Sequence, residues 1–338
     1  MLQSRRTRIA ALAASAAMLV GAASAGVAGA TTAKSSKQDL SGVTLNVGTI
    51  GGLGSVLLKA AGQASGIPYK VNFSSFQDGP STVAAIQGGS VDLGQTADTP
   101  AIFALAAGDA LKVAGVLLPV QPGAPFSIVV GKNSGITSLK QLKGKTIAVA
   151  SGTAMQYLAL AALNKYAGGW KNATLANLTP VASLSALSGG SVQAAVLSQP
   201  YVDLALAGGA KQLATGKGIV NGYAFYLASN SALANPGKAA AIADYFTRLA
   251  KSEVWASKHL AAAAQAIHTA LPTIPVGIAQ VLIANNLASF VKVGPAVYKA
   301  TQAEAALFHQ VGLLNSSLNV QPVFTTTYNA LVGTLPKA

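Results

Sequence analysis

Residues 88–100 read Gly88-Gly89-Ser90-Val91-Asp92-Leu93-Gly94-Gln95-Thr96-Ala97-Asp98-Thr99-Pro100. The glycine turn leads into Val91 to Gly94, a short apolar run that suits a buried strand, and Thr99-Pro100 then marks a helix start ahead of Pro100 to Ala107. The same succession of strand, loop and helix start recurs on both sides. Upstream, Val43 to Val47 alternates like a strand, runs into Gly48-Thr49-Ile50-Gly51-Gly52 and precedes a helix over Leu53 to Ala64; Tyr69 to Phe73 and Pro80 to Gln87 follow as strand and helix. Downstream, strands fit Lys112 to Leu117, Phe126 to Val130, Thr146 to Ala150, Ala176 to Val181 and Ala194 to Leu197. Helices fit Leu139 to Leu142, Thr153 to Tyr166, Leu184 to Gly189 and Pro200 to Ala207. Beyond Tyr223 to Ala228 the pattern turns helical through Pro236 to Lys258, Pro275 to Ala288 and Lys299 to Val311. Such alternation predicts an α/β fold of mainly parallel sheets covered on both faces.

A chain of 338 residues favours two domains. With 51% hydrophobic and 9% charged residues it can build packed cores, and low-hydrophobicity disorder is excluded. There is no Cys, which removes disulfides, thiol catalysis, zinc–thiolate sites and a lipid-anchor Cys. The net charge of +14 comes from scarce acids, 9 against 23 basic residues. Basic residues are not gathered with aromatics: the densest group, Lys140, Lys143 and Lys145, carries none, so no nucleic-acid partner is expected. A surface poor in carboxylates fits either compositional drift or an acidic exterior, where paired carboxylates would protonate.

The amino terminus reads as an export signal. Met1 to Ala30 has a basic start (Arg5, Arg6, Arg8), an Ala-rich apolar middle and the small-residue pattern Ala28-Gly29-Ala30, with Ala23-Ser24-Ala25 as an earlier option. Ser4-Arg5-Arg6 hints at a twin-arginine route, and Arg8 departs from it. The expected organisation begins with a signal peptide over 1–30 and a linker over 31–42. The mature protein is expected outside the cytoplasm, as a monomer.

In open parallel sheets ligands sit at the carboxyl ends of strands, where loops enter helices. Five loops qualify: Gly48 to Gly52, Gln77 to Pro80, Thr96 to Pro100, Ser151 to Thr153 and Ser198 to Pro200. Free N–H groups at the helix starts, with the local positive potential, form anion sites.

The stretch at 88–100, with Gly79-Pro80 before it and Ile102-Phe103-Ala104 and Ala106-Ala107-Gly108 after it, resembles the substrate-binding proteins of ABC importers for aliphatic sulfonates, taurine and nitrate. Ile136 to Lys145 and Gly189 to Ala195 resemble second-lobe landmarks of binding proteins generally, and the resemblance covers about Val43 to Tyr328. It implies a two-lobed periplasmic-binding-protein-like fold (type II), with a first lobe from 43–130 and 223–338, a second lobe over 131–222, and the chain crossing out near Val130 and back near Gly222. A small organic anion, an aliphatic sulfonate first, with nitrate, taurine or a vitamin precursor as alternatives, would lie between the lobes, with a membrane permease as partner and no cofactor, metal or catalysis. Carried over position by position, the ligand-binding candidates are Thr49, Gly51, Gly79, Pro80, Thr96, Asp98, Thr99, Ser151, Gly152, Thr153, Gln199 and Tyr201.

This chain departs from the family where Trp-Asp-Pro-Tyr is common, having Ser198-Gln199-Pro200-Tyr201, and where a His is common, having Gln156. Arg248 is the only arginine after Arg8, so charge neutralisation would rest on backbone dipoles and a lysine such as Lys59. Asp98 either caps the turn before Pro100 or meets an amine on a zwitterionic ligand. Tyr223, Phe225 and Tyr226 fit either a core strand or an apolar pocket wall.

Enzyme readings find little support. Gly52-Leu53-Gly54 lacks the third glycine of a dinucleotide fingerprint, and Gly144-Lys145-Thr146 lacks the upstream glycine of a phosphate loop. His259, His268 and His309 have no metal spacing, no Gly-x-Ser-x-Gly elbow occurs, and no close pair of acids lies in a pocket loop. Desulfinating relatives of the fold use a Cys, which is absent; a lyase or hydrolase on this scaffold is the alternative to binding.

Overall fold

The computed structural model describes residues 39–338; the predicted signal peptide and most of the linker lie outside the described residues. Strands β1 (Thr44–Ile50), β2 (Lys70–Phe76), β3 (Leu93–Ala97), β4 (Leu111–Pro119), β10 (Ala224–Ser229) and β11 (Ala288–Val291) form one six-stranded sheet in the order β11-β4-β10-β3-β1-β2. Strands β5 (Phe126–Val130), β6 (Thr146–Val149), β7 (Thr174–Asn177), β8 (Ala194–Ser198) and β9 (Lys211–Thr215) form a five-stranded sheet in the order β7-β6-β8-β5-β9.

Both sheets are mixed. β1 is parallel to β2 and β3, and β6 to β7 and β8, whereas β10 runs against β3 and β4, and β5 against β8 and β9. The reversed strands β5 and β10 are the ones the chain enters directly after crossing between sheets. Such a strand begins at the hinge and runs away from it, while its neighbours end there. This is the two-lobed architecture expected, with carboxyl ends of strands from both sheets gathered at the cleft.

Three details correct the sequence reading. Phe126–Val130 belongs to the second sheet, so the chain leaves the first between Pro119 and Phe126 and not near Val130. Two strands, Lys211–Thr215 and Ala288–Val291, were not anticipated; the second interrupts a region read as helical. Both are short, and Lys211-Gln212 is exposed, so neither shows a clear apolar alternation.

The helices are α1 (Leu53–Ala60), α2 (Gly79–Gln87), α3 (Asp98–Ala107), α4 (Ala154–Tyr166), α5 (Pro180–Ser188), α6 (Tyr201–Ala207), α7 (Asn230–Ala234), α8 (Pro236–Lys258), α9 (Leu260–Ala270), α10 (Val276–Asn286), α11 (Pro295–Gln310) and α12 (Asn329–Val332). They cover both faces of each sheet. In β10, Tyr226 joins the core beneath α8 with Tyr245, Phe246 and Phe290, while Phe225 and Leu227 face the opposite core with Val113, Val116 and Phe308. In the second sheet Ile128 and Val130 pack beneath α4, and Val129 packs with Ala195 and Leu197 on the other side. A strand buried on both faces shows a continuous apolar run, as Ala194 to Leu197 does. No described helix is long and apolar enough to cross a membrane.

Candidate functional site

The helix starts around the cleft are built in different ways. At α2, Asp78 is the cap: its Oδ1 accepts the Ser81 amide at 2.9 Å and the Ser81 hydroxyl at 2.7 Å. Pro80 follows, and the Gly79 amide has no partner among the described residues. Gly79 cannot carry a side chain without displacement, because a Cβ would lie 2.3 Å from Pro100 Cγ. At α4, Thr153 is the cap; its Oγ1 accepts the Gln156 amide at 3.4 Å and donates to the Ala150 carbonyl at 2.6 Å. The Ala154 and Met155 amides have no partner among the described residues. Gly152, at φ +70°, makes the turn before the cap, and its amide donates to Gln156 Oε1 at 2.7 Å. The family's common His position therefore serves here as an internal strut.

A cavity of about 230 Å³ lies where these starts meet. Gly79, Thr96, Thr153, Ala154 and Met155 contribute to its wall, with Gln77, Gln95, Ser198, Gln199 and Tyr223. Its inner part runs beneath α1, α8, α9 and α10, where Leu57, Leu249, Ile267, Leu282 and Ile283 make it apolar. Among the described residues two acids line it, Asp78 and Glu253, and no Lys or Arg does.

Of the residues singled out from sequence, Gly79, Thr96, Thr153 and Gln199 line this cavity. Pro80, Ser151 and Gly152 line a second, more open groove of about 440 Å³ with Gln156 and Phe103. Thr49, Gly51, Asp98, Thr99 and Tyr201 line neither. Thr49 is buried with its hydroxyl unpaired, and Thr96 already donates to the Ala97 carbonyl at 2.6 Å. Lys59 is exposed and does not line the cavity. Arg248 is committed elsewhere: its guanidinium bonds Asp244 at 2.6 Å and the carbonyls of Gln63, Ser65 and Gly66 at 2.8–3.0 Å. Tyr223 and Tyr226 touch the cavity, whereas Phe225 is wholly core.

Asp98 lines neither cavity. Only 1% exposed, it begins α3, takes the Thr99 amide at 2.9 Å on Oδ1 and the Asn221 side chain on Oδ2, and faces the equally buried Glu304 of α11. Burial raises both carboxyls above their ordinary range, and the neighbouring Asp98 charge raises Glu304 further. A close pair of acids therefore exists, though away from both cavities. The first turn of α3 is filled by the protein's own carboxylates, so this helix start offers no anion site.

Sequence reasoning missed the α8–α10 side of the cavity, including Glu253, Asn286 and Ser252, because no glycine, proline or motif marks positions in mid-helix. It also missed a bridge between lobes: Asn285 of α10 donates to Gln199 Oε1 at 3.2 Å.

Comparisons with known proteins agree with this geometry. A family model described as NMT1/THI5 like matches residues 63–212. A protein of Escherichia coli (strain K12) named for binding aliphatic sulfonates is 36% identical over 161 residues, 47% of this chain and 50% of its own length. Its counterpart in Bacillus subtilis (strain 168) is 33% identical over 150 residues, 44% of each chain. The chain thus aligns with about half the length of these curated relatives. The solved alkanesulfonate-binding protein of Xanthomonas axonopodis pv. citri, bound to MOPS, is 27% identical with a TM-score of 0.76, over 83% of this chain and 98% of that one. The chain thus shares the fold of a solved alkanesulfonate-binding protein over nearly the whole of that protein, and about half of its sequence resembles proteins named for binding aliphatic sulfonates.

Proposed function

We propose that the protein captures a small organic anion of the sulfonate type outside the cytoplasm and delivers it to an ABC-importer permease. The observation that carries this reading is the cavity's composition: free amides of Gly79, Ala154 and Met155 at two helix starts from opposite lobes, an apolar inner wall, and no Lys or Arg. A sulfonate stays ionised without a cationic partner and offers three acceptor oxygens, which suits amides converging from two lobes. The apolar wall favours an organic tail over a bare inorganic anion such as nitrate. Relatives named for aliphatic-sulfonate binding support the same class.

Closure follows from the need for differential contacts: an anion bonded by α2 alone would bind open and closed forms equally and could not shift the hinge. Gln199–Asn285 and the approach of Gly152 to Pro80 join the lobes on this side. Residues 1–30 would be the export signal and 31–42 the tether to the folded body. Binding in place of catalysis fits a chain without Cys and, among its described residues, without a group of acids and histidines placed to hold a metal.

Titration calorimetry with alkanesulfonates, taurine and nitrate tests the reading. Saturable sulfonate binding that exceeds nitrate, with ligand recovered unaltered, is expected; nitrate alone binding, or conversion of the ligand, would reject it.

A further inference from the structure

The cavity contains one carboxylate that neither the fold nor an anionic head group explains. Glu253 reaches it from α8, and its Oε2 accepts the Ala288 amide at 3.1 Å. Oε1 has no hydrogen-bond partner among the described residues, and no Lys, Arg or His lines the cavity. The same side of the cavity wall carries Leu249, Ile267, Leu282, Ile283 and Leu287, with Ser252, Asn286 and Tyr226 as its polar groups. Asp78, the other acid on the wall, is the cap of α2, where its Oδ1 takes the Ser81 amide and hydroxyl beside Gly79, at the head-group end of the cavity. A carboxylate kept in an apolar pocket with one oxygen unanswered costs stability unless a donor meets it.

Its position is as informative as its charge. Ala288 begins β11, which lies three strands from β3 in the sheet order, roughly 14 Å at the usual inter-strand spacing. Gly79 packs against Thr96 at the end of β3, where a Cβ on it would lie 3.3 Å from Thr96 Cβ, so Glu253 stands toward the end of the cavity away from the Gly79 amide. We propose that the preferred ligand is a medium-chain organic anion whose far end carries an ammonium group, and that Glu253 is the residue that receives it. This rests on the anion reading above and adds the ligand's second pole. The head group is held by backbone amides and the methylenes by α9 and α10. The ammonium donates to Glu253 Oε1 in a charge-assisted hydrogen bond.

The test is calorimetry at about pH 8, where an aliphatic ammonium is still charged, on the whole protein and on Glu253→Gln. The probes are an alkanesulfonate and its ω-amino counterpart of equal length, about six to eight methylenes to match the spacing. The unaltered protein should bind the amino form about tenfold tighter, and Glu253→Gln should abolish that preference while leaving the plain sulfonate unchanged or tighter. A short aminosulfonate should gain nothing from its amine on the unaltered protein, which keeps the proposal testable if the variant folds poorly. Plain sulfonate preferred by the unaltered protein, or both probes weakened alike by Glu253→Gln, would overturn the proposal and leave the anion reading standing. Failure of both probes to bind would remove the two together.

Discussion

The Thr99 hydroxyl donates to the Glu304 carboxyl across 205 positions of sequence, tying the first turn of α3 to the middle of α11. Asp98 sits beside this bond and receives Asn221 from the segment that returns the chain to the first sheet. Two acids far apart in the chain thus tie the lobe to its hinge from inside, and burial raises both carboxyls, which favours their neutral forms.

This burial sets the outcome of substitution. Glu304→Gln keeps the volume and a neutral donor and should change stability by about 1 kcal/mol or less. Glu304→Ala leaves Asp98 and Thr99 facing a void and should cost roughly 2–4 kcal/mol. Urea unfolding of both variants checks this, and equal loss in the two would show that a neutral amide cannot replace the carboxyl at 304.

Stability should fall as pH rises through the neutral range. Burial pushes Glu253 up to about 7 from 4.5, with the Ala288 amide opposing, and raises Asp98 and Glu304 as well. A carboxyl whose folded pKa is raised gives its full stability below the unfolded value, and that stability is lost as pH climbs toward the folded value. For Glu253 the window runs from 4.5 to about 7. Urea midpoints at pH 5 should exceed those at pH 8, and Glu253→Gln should flatten the difference; a higher midpoint at pH 8 would contradict the sign. Among the described residues only Asp92–Lys238 and Asp244–Arg248 are ion pairs, so little stability depends on acids being ionised.

The two helix starts should respond differently. Gly79→Ala drives a methyl into Pro100 and should cost about 1–3 kcal/mol in stability while moving the Gly79 amide and weakening anion binding. Thr153→Ala removes a cap and should cost about 1 kcal/mol, whereas Thr153→Ser should keep most of it. Thermal unfolding and calorimetry with one sulfonate separate the two effects.

Asn285→Ala removes the bond to Gln199 that joins the lobes. Affinity should drop by about 0.5–1.5 kcal/mol, mostly through faster ligand dissociation, with the melting temperature of the unliganded protein nearly unchanged. Stopped-flow dissociation is the direct measurement. Unaltered dissociation would mean that the bond does not hold the closed form.

From sequence alone the α/β alternation and the loops at Gln77–Pro80 and Ser151–Thr153 were legible, while the two lobes came from the family resemblance. Those features are local: glycines, prolines and cap residues determine how a chain turns from strand to helix, whatever surrounds it. The same loops suggested five anion sites, and tertiary packing distinguished among them. Asp98 and Glu304 fill the start of α3, Gln156 is taken by Gly152, and Arg248 by three carbonyls. The inner wall, with Glu253 at its end, exists only because α8, α9 and α10 fold back over β4 and β11. Contacts between residues so distant in the chain leave no periodic trace in it, since what brings them together is burial of unrelated helix faces against one sheet.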